Sequence, residues 1–550
     1  MNQEKSAPWQ IYPRPQMRRE SFINLNGQWE FSLCYPHYDQ TITVPFCPEC
    51  DLSGISQHPE DGQYFWYRRE FSLPAFQGRV LLHIGAADQH LTCYVNGREA
   101  GTHSGGYENI SLDITELVQE ENVLEFRCLD DLRDQSQPYG KQTLNRGGMW
   151  YTPVSGIWQT VWLEIVPKNY IRKLHIENHG YGVMIAIEPA ISGRVSVPGL
   201  GQFPLVGGQV TIQPENPKLW SPEDPYLYDF TLETAEDRVE SYFAIRCLES
   251  KEVDGIPRLC LNGKPYFFHG LLDQGYWPDG LFTPATPEAY AQDILAMKKL
   301  GFNTLRKHIK VEPEKFYYQC DKLGMLVFQD MVNNGQYKFL RDTALPTVGF
   351  QKRNDKNFHK DPQVRKTFLD AMTATVHQLK NHPCIVYWTI FNEGWGQFDS
   401  DRVYGKLRKL DSTRFIDSTS GWFRRKRTDV ESLHIYFGPW SRLKPAKKPL
   451  VLSEFGGHTY AVEGHLFNPD KAYGYKTCKT LDDYQASVET LYRQRILPMI
   501  PKGLCGAIYT QVSDVEDEIN GVLTYDRQVC KLEEETMQTL AQDIQSALNG

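Results

Sequence analysis

The sequence predicts two β-sandwiches followed by an eightfold (β/α) barrel, and three observations carry that prediction. Short runs of β-branched and aromatic residues, broken by Gly/Asn/Asp turns, fill residues 1–253 with no helix-length amphipathic pattern between them. From about Asp254 strand and helix patterns alternate strictly to the end of the chain, which reads as a parallel sheet closed into a barrel. Within that part, two apolar, non-alternating runs each end in a glutamate followed closely by glycine. They are Ile385-Val-Tyr-Trp-Thr-Ile-Phe-Asn392-Glu393-Gly394 and Pro449-Leu-Val-Leu-Ser453-Glu454-Phe455-Gly456.

Bulk properties agree with this architecture. A chain of 550 residues exceeds one ordinary domain. Its 41% hydrophobic and 13% aromatic content suit a well-packed globular protein. A formal net charge of -9 gives no electrostatic case for nucleic acid or an anionic membrane, and no apolar run approaches the ~18 residues of a spanning helix. Met1-Asn-Gln-Glu-Lys-Ser6 has no apolar leader, and the 12 cysteines are scattered, so a cytoplasmic, reduced protein is expected. Cys47-Pro-Glu-Cys50 is a lone pair without a second one or a histidine pair, so no zinc site is expected there. A homo-oligomer is compatible with the sequence but not legible in it.

Taken in order, residues 1–167 carry the strand runs Phe65–Phe71, Val80–Ile84, Leu91–Val95 and Val123–Cys128, with Asn96-Gly97 as the strongest hairpin signal. Residues 168–253 repeat the pattern more weakly, at a length suited to an immunoglobulin-like sandwich. Residues 254–550 hold the barrel. Strands are expected at Tyr266–Gly270, Asn303–Arg306, Met325–Asp330, the Glu393 run, Arg414–Ser418, Ser432–Tyr436, the Glu454 run and Gly506–Thr510. Helices are expected after Thr286-Pro287-Glu288, over Pro313–Leu323, after Asp361-Pro362, over Arg402–Leu410, Leu481–Ile496 and Leu532–Leu548.

The strand ends of a parallel barrel converge, so the two glutamates are expected at one rim. Paired carboxylates are what cleavage of a glycosidic bond requires, one to protonate the leaving oxygen and one to attack or stabilise the anomeric carbon. Asp273, Tyr276, Trp277, His308, Trp395, Trp422, His434 and Tyr509 join them as candidates, because aromatic faces stack on sugars and polar groups grip hydroxyls. The run Phe423-Arg-Arg-Lys-Arg427 reads as a solvated loop.

The strings Asn381-His-Pro-Cys-Ile-Val-Tyr-Trp-Thr-Ile-Phe-Asn392-Glu393 and Leu452-Ser-Glu454-Phe-Gly-Gly closely resemble the acid/base and nucleophile signatures of glycoside hydrolase family 2. That family includes β-galactosidases, β-glucuronidases and β-mannosidases. The resemblance implies an N-terminal jelly-roll, an immunoglobulin-like sandwich and a catalytic TIM barrel. It makes Glu393 the acid/base, Glu454 the nucleophile, Asn392 the residue bonding the sugar 2-hydroxyl, and Arg306 and Tyr436 supports of the nucleophile. Two departures from the family pattern matter. Asp330-Met-Val-Asn-Asn-Gly-Gln336 offers Asn334 and Gln336 where magnesium-dependent members carry a glutamate and a histidine, so no metal or other cofactor is expected. Asp517-Glu-Ile-Asn520-Gly lacks the lysine of the Asn-x-Lys-Gly string that grips a glucuronide, and acids crowd that loop. The expectation is therefore a retaining exo-glycosidase for a terminal neutral sugar, most simply β-galactose. A furanosidase and a non-catalytic carbohydrate-binding scaffold are the alternatives.

Overall fold

The computed structural model describes residues 7–347, 350, 354–436 and 440–549. The stretch Met1–Ser6 lies outside the described residues.

The N-terminal part is an antiparallel sandwich. One sheet orders Gln40–Val44, Gly27–Ser32, Tyr64–Ser72, Glu121–Leu129, His90–Val95 and Arg98–Ser104; the other orders Phe22–Asn24, Val161–Val166, Arg79–Ile84 and Ile110–Asp113. Period-two burial along Glu121–Leu129 shows why these residues make strands, since every second side chain enters the shared core. That core holds Trp29, Phe31, Tyr67, Leu82, Phe126 and Leu163. Asn96 and Gly97 both take positive φ, at 51° and 73°, and join two paired strands in the hairpin that the dipeptide predicts. A second sandwich packs Lys173–His179, Gly182–Glu188 and Gln209–Ile212 against a four-stranded sheet around Val195, Phe230 and Phe243. The strand Leu248–Val253 pairs with Ile256–Leu261, so the expected boundary at 253/254 falls inside a hairpin turn.

The barrel strands are β1 (Phe268–Asp273), β2 (Thr304–Lys307), β3 (Leu326–Asp330), β4 (Ile385–Thr389), β5 (Phe415–Asp417), β6 (Glu431–Ile435), β7 (Leu450–Gly456) and β8 (Leu504–Thr510). All are parallel and hydrogen-bonded in the order β5-β4-β3-β2-β1-β8-β7-β6, leaving one open seam between β5 and β6. The principal helices are α1 (Glu288–Lys299), α2 (Glu314–Leu323), α3 (Pro362–Leu379), α4 (Ser400–Leu410), α5 (Leu481–Leu491) and α6 (Glu534–Asn549). Asp361 caps α3 by accepting from the Gln363 N–H at 2.8 Å. Thr286 does not cap α1: the Ala289 N–H bonds its backbone carbonyl instead. The long helix expected from Leu481 ends at Leu491 and continues in wider and tighter turns to Lys502.

Parity along each strand decides what faces the lumen. Phe268, Phe328 and Tyr387 plug the floor, with Phe328 stacked on Tyr387 at 4.1 Å. Arg306 and Asp330 point into the lumen above them. Their neighbours Lys307 and Gln329 point out, toward Glu312 and the Tyr317 hydroxyl of the helical layer.

Candidate active site

Glu454 lies within β7, buried to 4% exposure, and both its oxygens are held. Arg306 Nη1 donates to Oε1 at 2.9 Å, and the Tyr436 hydroxyl donates to Oε2 at 2.5 Å. Burial alone would push this carboxyl up. The charges of His434 and Arg306 outweigh it and hold Glu454 well below the usual carboxylate range. Arg306 is the hub of the site. Its other bonds go to Asp330 Oδ1 at 3.0 Å, the Ser453 carbonyl at 3.0 Å and Asn392 Oδ1 at 2.8 Å. A planar fork with five donors is the one side chain that can serve so many acceptors at once.

Glu393 sits four residues beyond the end of β4 instead of at the strand's last position. Its φ is +51°, uncommon for a residue with a β-carbon, and its N–H bonds the Ser420 carbonyl at 3.0 Å. His434 stands between the two acids, with Nδ1 at 2.8 Å from Glu393 Oε1 and 3.6 Å from Glu454 Oε2. Its Nε2 faces Arg306 Nη1 at 3.4 Å and Ser420 Oγ at 2.9 Å. The Nδ1–H donates to the Glu393 carboxylate. A carboxylate oxygen of each glutamate and a ring nitrogen of His434 lie within 4.8 Å of one another. That fits the ~5–5.5 Å spacing of retaining glycosidases and not the ~6.5–9.5 Å of inverting ones. Such a trio is close enough to ligate a cation, but Arg306 and Tyr436 already occupy the oxygens of Glu454.

Asn392 and His308 complete the inner cluster. With Asn392 Oδ1 held by Arg306, its amide NH2 is left without a partner among the described residues. His308 Nδ1 bonds Asp330 at 2.8 Å, and burial, then the charge of Lys141, lower its pKa to about 4. The ring is neutral at physiological pH, with Nε2 left to accept.

Three expected rim residues lie elsewhere. Asp273 pairs with Lys307 at 2.7 Å on the helix side of the barrel, as its parity demands. Tyr509 also faces outward, packed against Phe455 and His458 with its hydroxyl accepting from the His458 N–H. Trp277 packs edge-on to Tyr290 of α1 beneath the Arg527 guanidinium. Trp422 is buried in the segment after β5, and its indole makes no hydrogen bond to a described residue. The basic run is ion-paired: Arg424 with Glu431, and Arg425 with Asp401.

Sequence reading missed the contribution of the first sandwich. Its loop around residues 135–152 crosses to the barrel mouth. The Tyr139 N–H donates to the Asn333 carbonyl at 3.1 Å, and its hydroxyl to the Gly335 carbonyl at 2.9 Å. Trp150 stacks on Trp395 at 5.4 Å. The Tyr151 hydroxyl donates to Glu518. Asn334, from the string without magnesium-site acids, donates to the Ser136 and Val364 carbonyls as a bracket for this loop. Tyr475, stacked on Tyr436 at 4.0 Å, was also missed, as was Asp330, which joins Arg306 to His308. The acids of the post-β8 loop are each partnered. Asp514 pairs with Lys531, Glu516 accepts from the Thr152 N–H, Asp517 meets Arg146, and Glu518 meets Tyr151 and Asn520.

The family model described as "Glycosyl hydrolases family 2, TIM barrel domain" matches residues 253–545, and "Glycosyl hydrolases family 2" matches residues 189–246. The chain is 24% identical over 489 residues to a β-galactosidase of Thermoanaerobacter pseudethanolicus. That match covers 80% of this chain and 60% of the relative, so the chain spans about three-fifths of that protein's length. A solved β-D-glucuronidase from Dictyoglomus thermophilum superposes with a TM-score of 0.75 at 20% identity, covering 97% of this chain and 98% of that one. A β-galacturonidase from Eisenbergiella tayi, solved with galacturonate, gives 0.70 at 17% identity, covering 97% and 99%. These two likenesses show the fold: a multidomain chain of β-sandwiches and a TIM barrel.

Proposed function

The chain belongs to glycoside hydrolase family 2, and we propose that it is a retaining exo-glycosidase with Glu454 as nucleophile and Glu393 as acid/base. The observation that carries this is a pair of carboxylates within 4.8 Å of each other in unlike surroundings. Glu454 is clamped by a guanidinium and a phenol that keep it charged. Glu393 has one oxygen fixed by His434 and the other left for the leaving group.

In the first step Glu454 attacks the anomeric carbon as the bond to the aglycone oxygen breaks and Glu393 hands that oxygen its proton. In the second, Glu393 takes a proton from water, and the hydroxide so formed releases the sugar from its ester with Glu454, configuration retained. The free amide NH2 of Asn392 is placed to donate to the sugar 2-hydroxyl, a bond that strengthens as charge develops. The sandwich loop, with Trp150 against Trp395, walls one side of the mouth, which favours a terminal sugar over the middle of a chain.

The neutral, galactose-like sugar expected from the sequence leans partly on acids crowding the post-β8 loop. Each of those acids has its own partner, so that support falls away. The complete catalytic pair with its clamps speaks against a silent carbohydrate-binding scaffold. Twelve free cysteines suit the reducing cytoplasmic setting that we propose for it. A panel of p-nitrophenyl glycosides with NMR of the first-formed anomer tests the reading. Cleavage with retention supports it; an inverted first product, or no glycoside cleaved, rejects it.

A further inference from the structure

Lys141 stands in the sandwich loop at the barrel mouth and meets no counter-ion among the described residues. It is 8% exposed, and among the described residues its ammonium has neither a salt-bridge carboxylate nor a hydrogen-bond acceptor. Around it are the rings of Tyr151 and Trp395, with centroids at 5.6 and 5.9 Å. Rings within about 6 Å offset part of the cost of burying a cation, but a buried charge without a counter-charge remains strongly disfavoured. The other cations of these loops have their acids: Arg146 has Glu516 and Asp517, Lys531 has Asp514, and Arg425 has Asp401.

The loop is shaped to hold this lysine. Gly140 has φ +63°, and a β-carbon there would stand 3.1 Å from the Ile309 carbonyl, so glycine lets the chain lie directly on the end of β2. Tyr139 on one side is tied to Asn333, and Gln142 on the other donates to Asp88 at 2.8 Å. The charge of Lys141 is felt by the His308 ring, which also feels Glu454, so the three groups share one space.

We infer that the Lys141 ammonium receives the carboxylate of a uronic acid at the non-reducing end of the substrate, making the enzyme selective for uronides. This rests on the glycosidase reading and names its substrate class. A uronate carries its charge on C5, clear of the scissile bond. Without a cation that charge would meet a site already holding Glu393 and Glu454. The cation comes from the sandwich, which gives that domain a direct part in recognition.

The test compares p-nitrophenyl β-glucuronide and β-galacturonide with the β-glucoside and β-galactoside. The wild type should favour at least one uronide over its neutral parent by about tenfold or more in kcat/KM. Lys141→Met should lower that ratio about a hundredfold, and Lys141→Arg should restore part of it. A wild-type preference for the neutral sugars, or a ratio untouched in Lys141→Met, overturns the inference while leaving the glycosidase reading standing. A second arm does not depend on turnover. Free glucuronate or galacturonate should raise Tm more than glucose or galactose does, and Lys141→Met should abolish the difference. Equal shifts for acid and neutral sugars overturn it too, even if no glycoside is cleaved and the glycosidase reading itself has failed.

Discussion

Replacing Arg306 by lysine keeps the charge and removes the fork. The guanidinium reaches Asp330, Glu454, the Ser453 carbonyl and Asn392 at 2.8–3.0 Å, from three nitrogens. A lysine ammonium is one nitrogen and cannot span acceptors on β3, on β7 and in the segment after β4 together. Hydrogen bonds to charged groups are worth about 1.5–3 kcal/mol each. Losing those to Glu454 and Asn392, the two that touch the reaction, should raise the barrel's chemical barrier by about 3 kcal/mol, or roughly a hundredfold in kcat/KM. Arg306→Met removes the charge as well. It leaves Asp330 and Glu454 as buried carboxylates without their cation and should cost about 3–5 kcal/mol of stability. Arg306 helps hold Glu454 low, so its removal lets that carboxyl rise and moves the acid limb of the kcat/KM profile to higher pH. The assay is Michaelis–Menten kinetics across pH on the best p-nitrophenyl glycoside, with urea unfolding of each variant. A lysine variant within threefold of wild type, or a methionine variant with an unmoved acid limb, refutes the reasoning.

Glu393→Ala should spare p-nitrophenyl substrates, whose leaving group needs little protonation, far more than alkyl glycosides, and azide should accelerate it by about tenfold or more; substrate-independent loss without azide response contradicts the role. Trp150→Ala should raise KM by about tenfold with a smaller change in kcat, because it opens the wall on Trp395 without touching the acids; unchanged KM contradicts it. His269 is buried between the Gly301 carbonyl and the Tyr492 hydroxyl, and burial lowers its pKa to about 4. That folded value lies below the unfolded one near 6.5, so the unfolded chain binds the proton more tightly between them. Its contribution is intact above pH 6.5 and erodes toward pH 4, by about 3 kcal/mol at the lower end. Urea unfolding at pH 7.5 and 4.5 should show a smaller acid loss in His269→Asn than in wild type, and equal losses would refute this.

The barrel was legible because a parallel strand buried on both faces leaves an apolar run of fixed length, and eight such runs with intervening helices admit few other arrangements. The glutamates were legible because a carboxylate ending such a run is costly without a purpose. What failed was side-chain direction. Asp273 and Tyr509 stand near strand ends, as expected, but on the outward parity, a test the alternation of Arg306 with Lys307 would have supplied. Glu393 departs from its expected place because the chain runs four residues past β4 and turns through a positive φ that no local pattern announces. The loop carrying Lys141 and Trp150 was invisible for a different reason. Its partners are nearly two hundred residues or more away in sequence, and nothing in a sandwich turn says that it will reach Asn333, Trp395 or Glu518.

In this mechanism Glu454 carries the glycosyl group as a covalent ester. A 2-deoxy-2-fluoro glycosyl fluoride of the preferred sugar slows release of the ester more than its formation, so the intermediate accumulates. Mass spectrometry of the intact protein should then show one added fluorosugar, and peptide mapping should place it on Glu454. A label on Glu393 or elsewhere, or continued turnover of p-nitrophenyl substrate with no labelled protein, would contradict it.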